Sequence, residues 1–367
     1  MSAANGIVGP SLLNLSCPLP QAEHERIVLG HGAGGKLTAA LIEEVFLRAF
    51  RNPVLERMDD QAQLVLPAGA VTGNGAGRLA LTTDSFVVTP IFFPGGDIGS
   101  LAVHGTVNDL AMGGALPLYL AAAFILEEGL VRRDLDRVVA SMAEAARAAG
   151  VAIVAGDTKV VNRGKADQVF ITTTGVGWVP AGVVLSSDRA RAGDQILLSG
   201  AVGDHGMAIL SQRESLEFDE VIASDSAGLY PLVEAMLAAA PAGAIRTLRD
   251  PTRGGLATAL HEIAQRSGVG MRLEQNAIPV HEAVASACEL LGIDPLYAAN
   301  EGKLVAFVAP EAAETVLDAM RRHRLGREAA RIGEAVEAPR AMVMLTTDVG
   351  GTRVLDTHFH EQLPRIC

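Results

Sequence analysis

Four aspartates in the first half of the chain lie in short polar motifs that could bind a metal ion. Carboxylates on short loops suit Mg²⁺, a hard ion that takes oxygen ligands and bridges to nucleotide phosphates. Any one of them could equally be a helix cap or a turn residue, but four together favour the metal site. They are Asp60 in Asp-Asp-Gln-Ala, Asp84 in Thr-Thr-Asp-Ser, Asp109 in Val-Asn-Asp-Leu and Asp157 in Gly-Asp-Thr-Lys.

Three glycine-containing motifs could bind phosphate, because a helix N-terminus offers unpaired N–H groups and a favourable dipole to an anion. The segment His31-Gly-Ala-Gly-Gly precedes a predicted helix but is not a Walker A loop, and alone it is typical of a simple turn. Asp250-Pro-Thr-Arg-Gly-Gly is a stronger signal, since it adds an acid, a hydroxyl and a guanidinium. Gly203-Asp204-His205-Gly206 is equally compatible with a nucleotide or metal ligand and with a turn.

Three further residues are candidates for acid–base or nucleophilic chemistry. Lys159 and Glu301 are flanked by small or apolar residues, where burial would shift the pKa, although a buried ion pair would fit as well. Cys367 is the last residue of the sequence, and the Arg365 guanidinium would favour its nucleophilic thiolate. Cys288 lies in an apolar predicted helix and is more typical of core packing.

Composition and charge exclude several classes of protein. A formal net charge of -12 without a basic stripe argues against a nucleic-acid partner. Three widely spaced cysteines give neither a disulfide framework nor a zinc motif and favour a cytoplasmic location. The N-terminus resembles no export signal, and the longest uncharged run is broken by glycine and proline, so no membrane span is expected.

The hydrophobic pattern predicts the elements that must hold these residues. Helices are expected at 36–50, 98–112, 132–149, 229–239, 256–266 and 280–291. Strands are expected at 78–82, 86–89, 118–126, 151–155, 169–179, 195–199, 304–308 and 331–336. This irregular mixture indicates an α+β chain of two domains, with the connection within 180–194.

Eight motifs in this order resemble the HypE family of hydrogenase maturation proteins. That family belongs to the PurM-like superfamily, together with aminoimidazole ribonucleotide synthetase and selenophosphate synthetase. The aspartate motifs indicate the superfamily, and the terminal Pro-Arg-Ile-Cys indicates HypE. The motifs are His31-Gly-Ala-Gly-Gly, Thr83-Asp84-Ser85, Asn108-Asp109-Leu110, Gly156-Asp157-Thr158-Lys159-Val160, Gly203-Asp204-His205, Asp250-Pro-Thr-Arg-Gly-Gly, Asn300-Glu301-Gly302-Lys303 and Pro364-Arg365-Ile366-Cys367.

The resemblance implies a PurM-like two-domain fold of mixed α/β type. The N-terminal domain would form a barrel-like sheet across a homodimer, and the C-terminal domain would be α+β. The expected segments are a flexible extension (1–26), an ATP-binding and dimerisation domain (27–185), the C-terminal domain (186–345) and a last strand with a mobile tail (346–367).

The resemblance also implies an enzyme that uses ATP and Mg²⁺ to dehydrate a carbamoyl group on Cys367, leaving a thiocyanate. Lys159 and Glu301 are both candidates for the base that removes the nitrogen protons, and the four aspartates would bind Mg²⁺. The expected nucleotide-binding residues are His31, Gly32, Gly34, Gly35, Asn108, Gly156, Asp204, Asp250, Thr252, Arg253, Gly254 and Gly255.

The partners implied are the carbamoyltransferase HypF as donor and the HypC–HypD complex as cyanide acceptor. Two alternatives stay open at this point. A superfamily enzyme acting on a free small molecule would share the aspartates but would not need Cys367. A non-catalytic nucleotide-binding scaffold that docks by its tail would need neither Lys159 nor Glu301.

Overall fold

The computed structural model of the chain describes residues 26–32, 36–57, 77–216, 218, 220–356 and 366–367. Asp60, Gly34, Gly35 and the expected N-terminal extension before residue 26 lie outside these ranges. The expected mobile tail is described only at Ile366 and Cys367.

The first half of the chain is built on a four-stranded sheet with two helices packed beside it. The strands have the order β1-β6-β4-β5, with β4 and β5 parallel and the other neighbours antiparallel. The elements are α1 (Lys36–Leu41), a π-helical turn (Ile42–Leu47), α2 (Arg48–Phe50), β1 (Arg78–Phe86), β2 (Phe92–Phe93), β3 (Gly96–Asp97), α3 (Ile98–Met112), β4 (Leu116–Glu127), α4 (Arg132–Ala148), β5 (Ala152–Val161) and β6 (Val169–Val179).

Helix α3 is the central element, and its first turn shows why it begins where it does. The Asp97 carboxylate accepts hydrogen bonds from the Gly99 and Ser100 N–H groups, and the Ser100 hydroxyl returns to the Asp97 backbone. This capping box satisfies the N–H groups that every helix start leaves unpaired. The rest of α3 is almost wholly buried and packs against β1 and β6, which brings Asp109 beside β1.

The opposite face of this sheet is open and partly apolar. Leu79 and Leu81 of β1 are 56% and 73% exposed. Across β6, Leu79 and Leu81 are aligned with Leu116 and Tyr119 of β4. These four side chains therefore lie on one face of the sheet. Large exposed apolar side chains that are adjacent on one surface are typical of an interaction site.

The second half is a seven-stranded sheet with the order β13-β12-β9-β11-β7-β10-β8. Strand β7 lies between β11 and β10 and pairs antiparallel with both, and helices cover the sheet. The elements are β7 (Gln195–Leu198), α5 (Asp204–Arg213), α6 (Tyr230–Ala239), β8 (Ile245–Arg249), α7 (Gly255–Ser267), β9 (Gly270–Glu274), α8 (Glu282–Leu291), β10 (Val305–Val308), α9 (Ala313–Arg322), β11 (Ala330–Val336), β12 (Val343–Thr346) and β13 (Thr352–Leu355).

Most predicted elements are confirmed within two or three residues, and α3 at both ends. The strand expected at 78–82 continues to Phe86 as β1, because Thr83 to Phe86 extend the pairing with β6. The strand expected at 86–89 is wrong, since residues 87–89 are not in a strand. Helices α5 and α9 and strands β2, β3, β8, β9 and β12 were not predicted, whereas β13 lies in the segment where a last strand was expected. Residues 180–194 contain neither helix nor strand. Within the part of the chain that the structure covers, none of the helices combines the length and apolarity needed to cross a bilayer.

Candidate active site

A polar pocket of about 290 Å³ lies where the two halves of the chain meet. Strand β1 and helix α3 form one wall, and the segments after β8 and before β10 form the other. The pocket is lined by Thr83, Asp84, Gly105, Asp109, Arg249, Asp250, Thr252, Arg253, Glu301 and Cys367. It therefore gathers residues from five of the predicted motifs, including the C-terminal cysteine.

Asp84 and Asp109 come together because α3 crosses close to β1. The Thr82 hydroxyl donates a hydrogen bond of 2.7 Å to Asp109 Oδ2, which fixes this carboxylate. Gly105 makes the approach possible, since a Cβ there would lie 2.8 Å from the Phe86 ring. The local packing of helix on strand thus aims two carboxylates into one pocket.

The Asp250 motif forms the turn that begins α7. Gly254 and Gly255 have φ angles of +72° and +63°, in the left-handed region that favours glycine. A Cβ on Gly255 would also lie 2.5 Å from the Leu296 carbonyl oxygen. The two glycines therefore shape the turn, while Thr252 and Arg253 supply the hydroxyl and guanidinium that line the pocket.

Glu301 is held in the pocket wall by hydrogen bonds to its backbone and its neighbours. The Asp225 carboxylate accepts bonds from the Glu301 and Gly302 N–H groups at 3.0 and 3.2 Å. Asn300 accepts a bond from the Gly203 N–H at 2.8 Å and donates one to the Pro251 carbonyl at 2.9 Å. One buried amide thus connects three motifs that are far apart in sequence.

Burial changes the acidity of the pocket carboxyls. It raises the pKa of Glu301 well above its usual range, and neighbouring Asp250 and Asp225 raise it further. Burial, followed by repulsion from Asp109, raises the pKa of Asp250 to about 7. The pKa of Asp109 is also raised by burial, against the hydrogen bond from Thr82. The pocket therefore holds protons near neutral pH and would release them when cationic charge enters.

The C-terminal residues are seated in this pocket by two backbone hydrogen bonds. The Val87 N–H, one residue beyond the end of β1, donates to a terminal carboxylate oxygen of Cys367 at 3.2 Å. The His205 Nε2 and the Ile366 carbonyl oxygen are 2.7 Å apart. Ile366 is 3% exposed and packs in a hydrophobic core to which both halves contribute. The thiol-bearing residue is thereby placed beside the pocket carboxylates.

Asp157 and Lys159 lie elsewhere in the protomer, on β5. Their side chains are 62% and 63% exposed and form an ion pair of 2.8 Å. This hydrogen bond from Lys159 lowers the pKa of Asp157. Across the paired strands of the sheet, Asp84 is aligned with Gly156, whereas Asp157 is aligned with Ser85. Neighbouring residues of a strand point to opposite faces, so Asp84 and Asp157 project from opposite faces of the sheet.

Several expected nucleotide ligands also lie outside the pocket. His31 is buried, and its Nδ1 accepts a hydrogen bond of 3.0 Å from the Val28 N–H. Gly32 ends a short 3₁₀ turn, and Gly156 is in the middle of β5. Asp204 bonds His281 Nδ1 at 2.8 Å and lies 4.0 Å from the Lys303 ammonium.

Asn108 has a structural role between the two halves. Its amide donates to the Ala227 and Glu301 carbonyl oxygens at 3.0 and 3.2 Å. Its oxygen accepts from the Leu229 N–H at 2.7 Å. Because all these partners belong to the second half, Asn108 fixes α3 against the wall that carries Glu301.

Sequence reasoning missed Arg249, Asp225 and His205 as site residues. Arg249 directly precedes the Asp250 motif at the end of β8, so its position beside a known motif was a usable signal. Asp225 lies in a segment without periodicity, and only the fold brings it to Glu301. His205 was noted only as the neighbour of Asp204.

The pocket fits a magnesium ion that is shared with phosphate oxygens. Among the residues with described positions, no three His, Cys, Asp or Glu side chains are arranged to hold a metal by themselves. Mg²⁺ commonly takes one or two carboxylates and completes its shell with phosphate and water oxygens. Asp84 and Asp109 provide such a pair, and Arg249, Thr252 and Arg253 face the same space.

Two family models match most of the chain. Residues 59–179 match the N-terminal domain, and residues 191–345 the C-terminal domain, of AIR synthase related protein. The chain belongs to this class of two-domain proteins, the PurM-like fold expected from its motifs.

The relatives define the family within this class. The chain is 61% identical over 342 residues to carbamoyl dehydratase HypE of Cupriavidus necator, covering 93% of this chain and 95% of that protein. A crystal structure of hydrogenase maturation protein HypE in complex with ATP matches with a TM-score of 0.87 and 51% identity, over 93% of this chain and 99% of that one. A HypE–HypF complex matches with a TM-score of 0.74 and 50% identity, over 87% and 100% of the two chains. The chain belongs to the HypE family of carbamoyl dehydratases.

Proposed function

We propose that this protein uses ATP to dehydrate a carbamoyl group carried on the Cys367 sulfur, which supplies the cyanide ligand for the iron of [NiFe]-hydrogenase. One observation carries the proposal: Cys367 lines a pocket together with Asp84, Asp109, Arg253 and Glu301. A superfamily enzyme acting on a free substrate would have no need of its own C-terminal thiol there. A relative has been crystallised with ATP, the cosubstrate that this chemistry requires.

The reaction balances as one carbamoyl thioester and one ATP giving a thiocyanate, ADP and phosphate. The carbamoyl oxygen attacks the γ-phosphorus, which turns a poor leaving group into a good one. The two nitrogen protons then leave and the C–O bond breaks with release of phosphate. The protein must therefore supply positive charge for the phosphates and a base for the protons.

Glu301 is the pocket residue best suited as base. Its carboxyl is almost fully buried, 3% exposed, and its raised pKa makes its ionised form a stronger base than an ordinary glutamate. The Arg253 guanidinium opposes this rise and favours the ionised form. Lys159 stays a second candidate, and it could act only where another subunit covers the open sheet face.

Asp84 and Asp109 would hold Mg²⁺ against the phosphates, and Asp60 and Asp157 stay predictions for the same role. When bound, Mg²⁺ neutralises phosphate charge and orients the γ-phosphate for attack. Arg249, Arg253 and the Thr252 hydroxyl would bind phosphate oxygens at the start of α7, where helix N–H groups add to the attraction. The His31 loop keeps its predicted role in nucleotide binding.

We further propose a homodimer that pairs the open faces of the two four-stranded sheets. Leu79, Leu81 and Ile125 are 56%, 73% and 41% exposed on this face, where water contact is unfavourable. The pairing would close a barrel-like sheet and bury the Asp157–Lys159 pair. A symmetric dimer of this kind uses the same patch on both subunits.

Membership of the HypE family also suggests the partner proteins and the location of the reaction. HypF would donate the carbamoyl group, as a structurally similar HypE forms a complex with HypF. The HypC–HypD complex would accept the cyanide. We place the reaction in the cytoplasm, where a free thiol stays reduced.

Mass spectrometry of the C-terminal peptide tests the function directly. After incubation with HypF, carbamoyl phosphate and ATP, Cys367 should carry a cyano group, and at early times, before dehydration, it should carry a carbamoyl group. Cys367→Ala should abolish both modifications while retaining ATP binding, because no other thiol lines the described pocket. Cys288→Ala is the matched control, and in this variant Cys367 should be carbamoylated and cyanated as in the parent. An unmodified Cys367 would favour the free-substrate enzyme, and carbamoylation that ATP never converts would favour the scaffold.

A further inference from the structure

His205 is a buried imidazole that the proposed reaction does not use. It lies in the first turn of α5 and is fully buried, with its ring edge-on to Phe93 at 5.6 Å between centroids. It is absent from the pocket lining, so it does not contact the reacting atoms there. Its two ring nitrogens both have close polar partners, as buried polar groups require, and one partner is the backbone of the penultimate residue, Ile366.

The partners determine which nitrogen carries the proton. Burial lowers the pKa of His205, so the ring is neutral and has a single N–H donor. The Ile366 carbonyl, 2.7 Å from Nε2, can only accept. Nε2 therefore carries the proton and donates to Ile366, and Nδ1 accepts from the Ser224 hydroxyl at 2.7 Å.

Ser224 is itself held in place, so the tautomer is built into the fold. Its oxygen accepts a hydrogen bond from the Ser226 N–H at 3.1 Å, and its own N–H donates to the Pro94 carbonyl at 2.8 Å. The Ser226 hydroxyl continues to His104 Nδ1 at 2.9 Å. Because the Ser224 hydroxyl donates to Nδ1, the ring proton stays on Nε2, which faces the C-terminal residues.

We propose that His205 is a positioning residue that seats the C-terminal cysteine in the pocket through the Ile366 carbonyl. Val87, in the first half, bonds a terminal carboxylate oxygen of Cys367, and His205, in the second half, bonds the Ile366 carbonyl. Both halves of the molecule thus hold the C-terminal residues by hydrogen bonds. These contacts are present in the structure, and their importance for catalysis rests on the proposed function.

Two substitutions separate the two ends of the imidazole. His205→Asn retains a polar atom near the Nδ1 position, for Ser224, but removes the donor to Ile366. His205→Gln places an amide N–H near the Nε2 position and loses the bond to Ser224. The two variants are similar in polarity and differ mainly in which partner they keep. His104→Asn is the matched control, because His104 is half-buried, does not contact the C-terminus, and as Asn keeps a polar atom near Nδ1 for Ser226.

The readout is the alkylation rate of Cys367 by iodoacetamide, measured on the C-terminal peptide of the full-length protein. Loss of one buried hydrogen bond should release the cysteine and raise the rate about tenfold in His205→Asn. His205→Gln should stay within about threefold of the parent, and His104→Asn within about twofold. The melting temperature of each variant reports stability separately.

Equal rates in His205→Asn and the parent would overturn the proposal, as would an equal rise in the Gln variant or the His104 control. If His205→Asn does not fold, Ser224→Ala carries the test. A rise of at least about twofold supports the positioning role, and an unchanged rate refutes it. Because alkylation needs neither ATP nor HypF, this result is independent of whether Cys367 is ever carbamoylated.

Discussion

The pocket at Cys367 and the open face of the first sheet carry the same kinds of residue in opposite environments. In the pocket, burial raises the pKa values of Asp109, Asp250 and Glu301. On the open face, Asp157 and Lys159 form an exposed ion pair, and the pKa of Asp157 is lowered. Buried carboxyls with raised pKa values suit proton transfer, whereas a solvated pair contributes little to stability or reactivity.

The sharpest test of this contrast is to remove each candidate base. Glu301→Gln should slow the conversion of carbamoyl to cyano on Cys367 by roughly a hundredfold to ten-thousandfold, the usual contribution of a general base. Single-turnover mass spectrometry with carbamoylated protein measures the step without the HypF reaction. Lys159→Gln is the paired variant. A larger loss in Lys159→Gln than in Glu301→Gln would move the base to the open face and require a second subunit at the site.

The two aspartates on opposite faces of the sheet should differ in their effect on magnesium. Asp84→Asn should raise the Mg²⁺ concentration for half-maximal ATP hydrolysis at least about tenfold, because even supporting groups of metal sites contribute that much. Asp157→Asn should change it less if the ion lies in the pocket. Equal and large effects would show that both faces hold metal, and no effect of Asp84→Asn would remove the pocket assignment.

The apolar part of the open face should control assembly. Leu81→Asp introduces a charge at a position that is 73% exposed in the protomer and buried in the proposed dimer. We expect the dimer to dissociate at micromolar concentration in light scattering, since a buried unpaired charge costs several kcal/mol. Val221→Asp, at a position 79% exposed elsewhere, should leave assembly unchanged. A Leu81→Asp variant that stays dimeric would place the interface on another surface.

The pocket should make the stability of the unliganded protein depend on pH. Asp250 has a pKa of about 7 in the fold and an ordinary value of 3.8. Between these values the folded state binds more protons than the unfolded chain, so stability falls as pH rises from about 4 to 7. Asp250→Asn should flatten part of this decline, at most about 1.4 kcal/mol for each unit by which the two pKa values differ. Urea unfolding at several pH values measures the slope, and an unchanged slope would contradict the assigned burial.

The motifs and periodicity of the sequence determined much of this protein. The run from Ile98 to Met112 predicted α3 at both ends, because apolar continuity is a local signal. Asp84, Asp109, Asp250, Thr252, Arg253, Glu301 and Cys367 were all named as candidates, and the fold brings them to one pocket. Their residue types already limited the chemistry to cations, phosphate and a nucleophilic thiol.

Only the tertiary structure decided which candidates meet. Asp84 and Asp157 have equivalent local contexts, yet strand register across β1, β6, β4 and β5 places them on opposite faces. His205 reaches Ile366 across 161 positions of sequence, a contact that no local pattern encodes. Burial, which raises the pKa of Glu301, is likewise a property of the assembled halves. Sequence specifies the groups because chemistry depends on residue type, whereas register and burial depend on long-range packing.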